Sequence, residues 1–260
     1  MLHNPSVIQI IRIAEILAVR GWAEANAGNL SIHLDPEVVQ KLPPLFDEMP
    51  LKDPFPALNG ECFLVTSAGS RARDAARIPE ETIGLVEIIE QGKSIRCHWG
   101  RIPPTSEFPA HLSVYNQCGE KRPDIKSILH THPPNLIAMS HLPDMQEPGR
   151  LNSTLRMMHP ELGILLPDGV NTLKYRIPGS IELGAATSDA IITCNVAVWP
   201  MHGVVSIAAD LDKALDQVEM VEKAAMMYML VRATGQETVG LSTEQIRESR
   251  EYWGITGDIA

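Results

Sequence analysis

The chain has 260 residues, with 32 acidic against 22 basic side chains and a formal net charge of −10. That balance excludes a surface built for a polyanion such as nucleic acid and a basic face for docking on a membrane, although backbone amides could still hold a small phosphate. Four cysteines, Cys62, Cys97, Cys118 and Cys194, form neither a Cys-x-x-Cys pair nor a disulfide framework, and no apolar run is long enough to span a bilayer.

The first residues, Met1-Leu2-His3-Asn4-Pro5, lack the basic stretch and cleavage site of a signal peptide, so a reducing cytoplasmic setting is expected. Residues 5–20 place Val7, Ile10, Ile11, Ala14, Leu17 and Ala18 at helical spacing, with Asn4 suited to the N-cap and Gly21 to the stop. Asn29 to Leu34 alternates as a strand. Residues 36–60 carry Pro36, Pro43, Pro44, Pro50, Pro54 and Pro56, which predicts an excursion over the surface rather than core. Cys62 to Thr66 reads as a short buried strand, and Leu85–Ile89 with Ser94–Trp99 as a hairpin. A helix is expected from Ser106 to Gln117, a buried strand over Ser127–His130 and a short helix over Asn135–His141.

Further on, Glu161–Leu166 reads as a strand, Ile181–Ile191 as a helix, and Val196–Trp199 and Val204–Ala208 as strands. Leu211 to Ala233 has the clearest helical stripe in the chain, with Glu219, Glu222 and Lys223 expected to face away from it. Glu244 to Trp253 is a last amphipathic piece. No linker divides the chain and no regular βαβ rhythm runs through it. This predicts one domain over 1–260, a layered α/β/α arrangement on a mainly antiparallel central sheet.

Two histidines one residue apart, His130 and His132, end the buried strand 127–130, and His202 follows in Trp199-Pro200-Met201-His202-Gly203. Alternate strand side chains leave a sheet on one side, so His130 and His132 would emerge together. With His202 they could occupy three corners of a tetrahedral metal site and leave the fourth open, as in catalytic zinc. Neutral imidazole suits zinc most readily and is compatible with manganese, iron or cobalt. On these residues alone, separate hydrogen-bonded histidines fit equally well.

Glu107, in Pro104-Thr105-Ser106-Glu107-Phe108-Pro109-Ala110-His111, is the candidate carboxylate, against the plainer reading of an acid in the first turn of a capped helix. Two loops, Asn26-Ala27-Gly28-Asn29-Leu30-Ser31 and Thr66-Ser67-Ala68-Gly69-Ser70, could present amides to an anion or be ordinary turns. Among the remaining histidines, His98 and His111 are the candidates to line a pocket.

Taken together, Gly28-Asn29-Leu30-Ser31, Phe63 to Gly69, Pro104 to His111, His130-Thr131-His132-Pro133-Pro134-Asn135, Pro167-Asp168-Gly169, Pro178-Gly179 and Trp199 to Gly203 resemble the class II aldolase/adducin family, and within it the branch acting on L-rhamnulose 1-phosphate. The resemblance implies one zinc per subunit on His130, His132 and His202, with Glu107 as catalytic acid/base and Glu161 as a second catalytic glutamate. It implies substrate phosphate around Asn29, Gly69, Thr105 and Ser106, a small phosphorylated ketose as substrate, and a homotetramer. The implied reaction splits the ketose 1-phosphate into dihydroxyacetone phosphate and L-lactaldehyde through a metal-stabilised enediolate. Fuculose-phosphate aldolases and pentulose-phosphate 4-epimerases share the fold, although the epimerases carry aspartate where this chain has Glu107. A non-catalytic adducin-like domain is the reading from another class. In the second loop relatives have Ser-Gly or Thr-Gly where this chain has Ala68-Gly69, with hydroxyls displaced to Ser67 and Ser70.

Overall fold

Period-two alternation in the apolar runs decides which face each strand buries, and the computed structural model, which describes residues 1–45, 48–119 and 121–256, carries that alternation into a single sheet. The first half of the chain forms α1 (Pro5–Arg20), β1 (Asn29–Leu34), β2 (Met49–Pro50), β3 (Cys62–Thr66), α2 (Pro79–Thr82), β4 (Ile83–Ile89), β5 (Ser94–Gly100) and α3 (Phe108–Cys118). Then come β6 (Ser127–Thr131), α4 (Pro134–Ser140), α5 (Arg150–Met158), α6 (Leu162–Leu165), β7 (Val170–Thr172) and α7 (Ile181–Ala190). The last elements are β8 (Val196–Trp199), β9 (Gly203–Ala208), α8 (Leu211–Ala233) and α9 (Thr243–Tyr252).

Among the described residues the sheet has nine strands in the order β2-β5-β4-β3-β1-β6-β9-β8-β7. Neighbours run antiparallel except β7 with β8. One face of the sheet, with Leu30, Leu64, Leu129 and Val204, packs under α1, α4, α5 and α8. The other, with Val65, Ile128, Trp199 and Val205, packs under α3 and α7. The expected α/β layering on a mainly antiparallel sheet is therefore what the chain adopts. None of the described helices is long and apolar enough to cross a membrane.

Helix α1 shows how local chemistry sets an element. The Asn4 side chain accepts from the Ser6 N–H at 2.9 Å, Pro5 opens the first turn, and Gly21 closes the helix at φ 70°, a left-handed cap that glycine adopts without strain. Val7, Ile10, Ile13 and Leu17 are buried, each contributing about 1.5–3 kcal/mol of apolar burial.

Four expectations need correction. Residues 36–60 are not wholly superficial: Phe55 and Leu58 are buried in the second core and β2 extends the sheet at its edge, while Phe46 and Asp47 lie outside the described residues. The Phe55 N–H donates to Gly92 O at 2.9 Å, and only a glycine at 92 lets that backbone approach so closely. Glu161–Leu166 is not a strand but the short helix α6, with Leu165 N–H and Leu166 N–H bonded four residues back. The run 162–166 is too short for a decisive period, and here α6 packs beside Arg250 and Ile246 of α9. Helix α3 starts at Phe108, two residues later than Ser106, because the preceding segment is bonded to the loop after β3. Finally, Glu222 does not face away from the stripe of α8; it is 6% exposed and directed at α4.

Candidate metal centre

Register builds the site. Strand β1 pairs with β6 so that Asn29 stands opposite His130, and β6 pairs with β9 so that His130 stands opposite Val205. His132 lies one residue beyond β6, and its N–H and the Thr131 hydroxyl both donate to Trp22 O, at 2.8 and 2.7 Å. His202 sits in the tight turn between β8 and β9, its N–H bonded to Trp199 O at 3.1 Å, with Met201 before it at φ 61°. The ring centroids of the three histidines are 4.9–5.1 Å apart and one ligand nitrogen of each lies within 4.8 Å of the others. The Trp199 ring backs His130 at 4.4 Å and His202 at 5.1 Å.

Hydrogen-bond partners determine the tautomers. His130 Nδ1 donates to Val204 O at 3.0 Å, and His132 Nδ1 donates to Glu24 Oε1 at 2.9 Å. Both Nε2 atoms are then bare, and they face each other at 3.2 Å. Two facing lone pairs repel unless a cation lies between them. Nitrogens about 2.0–2.1 Å from a tetrahedral zinc are about 3.3–3.4 Å apart, so this spacing fits the ion. Burial pushes His130 well below its ordinary pKa, helped by His132 and His202, and burial lowers His202 as well. Neutral imidazole is the form that ligates a metal.

Glu107 settles at this cluster instead of capping its helix. It stands at the start of α3, 8% exposed, and its side chain makes no cap bond. Its Oε2 accepts from Asn29 Nδ2 at 2.7 Å and lies 3.4 Å from His130 Nε2, while Oε1 lies 3.9 Å from His202 Nε2. Thr105 takes the capping role, its hydroxyl accepting from the Glu107 N–H at 3.4 Å. A carboxylate beside three converging nitrogens can join a metal's coordination or exchange a proton with something bound to it.

The two glycine loops also come together near the site. Thr105 N–H donates to Thr66 O at 2.9 Å, Ala68 N–H to Pro103 O at 2.9 Å, and Leu30 N–H to the Thr66 hydroxyl at 3.1 Å. Gly69 has φ 69° and open space on its Cβ side. The displaced hydroxyls are engaged elsewhere: Ser67 donates to Arg101 O at 2.8 Å and Ser70 to Ser67 O at 2.6 Å. Arg71 lines the same cleft as Gly28, Asn29, Thr66 and Ser70.

Glu161 is exposed at the start of α6, its N–H directed at His159 Nδ1 at 3.3 Å, and among the described residues no hydrogen bond or ion pair joins it to the histidines. His111 lies beneath the site, bonded to the Ser31 hydroxyl at 2.7 Å and pushed down to about 3 by burial. His98 is tied to Leu42 O and Glu87 in the wall of β5. Sequence reading missed Glu24, which stands in no pattern that announces metal chemistry, and it gave Trp199 and Gly203 no role beyond the motif around His202. Gly203 is confined sterically: an added Cβ would lie 2.6 Å from Thr131 O, 2.8 Å from His132 Cδ2 and 3.0 Å from His130 Cε1. Gly203→Ala is therefore expected to lower stability by about 1–3 kcal/mol in urea denaturation and to weaken metal binding, since the clash falls on two ligands.

Comparison with known proteins agrees with this geometry. The family described as Class II Aldolase and Adducin N-terminal domain matches residues 8–229. A rhamnulose-1-phosphate aldolase from Bacteroides thetaiotaomicron is 32% identical over 246 residues, 93% of this chain and 91% of that protein. One from Enterococcus faecalis is 29% identical over 262 residues, 98% of this chain and 94% of that protein. A solved sugar-phosphate aldolase from Thermotoga maritima superposes with a TM-score of 0.76 at 34% identity, covering 90% of this chain and 98% of that one. A family match that runs through every strand of the sheet, with a relative 32% identical across nearly the whole chain, makes this protein a member of the class II aldolase/adducin family.

Proposed function

We propose that this protein is a zinc-dependent aldolase of one catalytic domain, working in the cytoplasm and splitting L-rhamnulose 1-phosphate into dihydroxyacetone phosphate and L-lactaldehyde. The observation that carries the reading is the convergence of one ligand nitrogen each from His130, His132 and His202, with the Glu107 carboxylate, bonded by Asn29, beside His130 and His202. The substrate is supported by the 32% and 29% identical relatives, both rhamnulose-1-phosphate aldolases.

His130, His132 and His202 would hold the zinc, which would supply a Lewis acid for the negative charge that develops when the ketose breaks between C3 and C4. Glu107 moves the carbon-bound proton: it removes it from dihydroxyacetone phosphate in condensation and returns it in cleavage. Asn29 keeps that carboxylate turned toward the reacting carbon. The amide of Gly69, with Thr105 and Ser106, receives the phosphate. Backbone N–H donors carry more of this contact here than hydroxyls do, because Ser67 and Ser70 already donate to carbonyls. Glu161 takes the proton of the departing aldehyde's oxygen from across a subunit contact of the homotetramer; among the described residues no hydrogen bond or ion pair joins it to the cluster.

The test is dihydroxyacetone phosphate release by purified protein, coupled to NADH oxidation, on L-rhamnulose 1-phosphate and L-fuculose 1-phosphate. Faster turnover of the rhamnulose ester and complete loss on chelation are expected. Preference for the fuculose ester overturns the substrate. Activity that survives full metal removal overturns the metal chemistry, and purified protein that holds no zinc favours the non-catalytic adducin-like alternative.

A further inference from the structure

Glu222 is a buried carboxylate that the chemistry above does not use. From the middle of α8 its Oε1 accepts from the Asn135 N–H at 3.0 Å and from Asn135 Nδ2 at 2.7 Å, and its Oε2 accepts from the Leu136 N–H at 2.8 Å. These donors belong to the first turn of α4. Pro133 at the N-cap makes no side-chain cap bond, and neither it nor Pro134 carries an N–H. The segment that leaves the metal-binding strand therefore cannot cap its own helix, and α8 does so from 87 positions away. Burial pushes the Glu222 carboxyl above its ordinary range, against the pull of the three N–H donors. Charge-assisted bonds of this kind are shorter than neutral hydrogen bonds and about twice as strong.

The helix so held connects two ligand segments. Its first turn follows His132 directly through Pro133. At its other end Ser140, fully buried, accepts from the Met201 N–H at 2.8 Å while donating to Ile137 O at 2.7 Å. Met201 precedes His202 and sits at φ 61°, a left-handed conformation uncommon outside glycine that its surroundings must hold in place.

We propose that Glu222 is a positioning residue for the metal centre: by clamping the first turn of α4 it makes that helix a strut that sets the separation of His132 from His202. The inference rests on the reading of the three histidines as metal ligands. It assigns a function to a side chain from another layer of the fold that touches no ligand.

The experiment compares wild type with Glu222→Gln, Glu222→Ala, Ser140→Ala and the control Leu211→Ala. Leu211 is buried at the start of α8, about 16 Å along the helix from Glu222. Zinc affinity is read by competition with a chromophoric chelator, ligand geometry from the visible spectrum of the cobalt-substituted protein, and stability from melting of the metal-free form. Glu222→Gln and Ser140→Ala are expected to weaken zinc about 10-fold and Glu222→Ala about 100-fold, the range found for groups that orient metal ligands. All three should shift the cobalt bands. Leu211→Ala should lower the melting temperature and leave zinc affinity within about twofold, as distant sites act independently.

Glu222→Gln that folds and keeps wild-type affinity and spectrum overturns the proposal. So does Ser140→Ala with an unchanged cobalt spectrum, and so does a Leu211→Ala protein that loses as much zinc affinity as Glu222→Ala. Wild-type protein that binds no zinc overturns the metal reading itself, whereas tight wild-type binding with indifferent Glu222 variants overturns this inference alone.

Discussion

Replacing His202 by alanine is expected to abolish both bound zinc and turnover. His130 and His132 would remain with their Nε2 atoms 3.2 Å apart, still oriented by Val204 O and Glu24, but two imidazoles leave the ion under-coordinated. Structural zinc sites bind with about 10–16 kcal/mol, and on that scale losing one of three donors costs roughly 3–5 kcal/mol, or about 10²–10⁴-fold in affinity. Metal content by atomic emission after dialysis and dihydroxyacetone phosphate release measure the two halves of the effect. The turn itself should survive, because the His202 N–H bond to Trp199 O is a backbone contact. A folded variant that keeps stoichiometric zinc would remove His202 from the ligand set.

Glu107→Gln separates binding from chemistry. Glutamine keeps an acceptor for Asn29 Nδ2 and nearly the same volume, and the three imidazoles are untouched, so zinc content should match wild type. Turnover should fall by about 10²–10⁴, the usual contribution of a positioned general acid/base, with KM little changed. Exchange of the carbon-bound proton of dihydroxyacetone phosphate with solvent isolates the step assigned to this carboxylate and should be lost in parallel. Normal exchange and turnover in the variant would return Glu107 to the role of a structural acid at the start of α3.

Much of the site was legible because its residues announce themselves. A His-x-His at the end of a buried strand emerges on one face, and Asn29, Glu107 and His202 come with flanking residues that the resemblance made specific. What stayed hidden was supplied by register and by other layers. Nothing near Glu24 marks it as the partner of His132, and Glu222 shares the apolar stripe of α8 with Val218 and Ala225, where its charge and not its position argues for solvent. Its burial depends on α4 arriving beside it with two prolines at its start, a tertiary fact. The α6 segment failed for a different reason: the short run 162–166 satisfies either period, and only the fold, with α9 packed beside it, distinguishes them. Helix α5 was unread because its sequence, Arg150-Leu151-Asn152-Ser153-Thr154, is rich in residues that favour caps and turns.

The pairing of β6 with β9 has a consequence for how the protein lives in the cell. It joins residues 74 positions apart, His130 and Val204, so an unfolded chain presents zinc with no ready donor set. A long loop must close before the metal can bind, which makes the ion a latch on a late contact and not a nucleus for folding. Such a latch leaves the folding rate alone and slows unfolding. Its contribution grows with supply, to about 4 kcal/mol once free zinc exceeds Kd a thousandfold. On the metal reading, then, scarcity of zinc would thin the population through proteolysis as well as idle the enzyme, and abundance of the protein would track the nutrient that its chemistry needs.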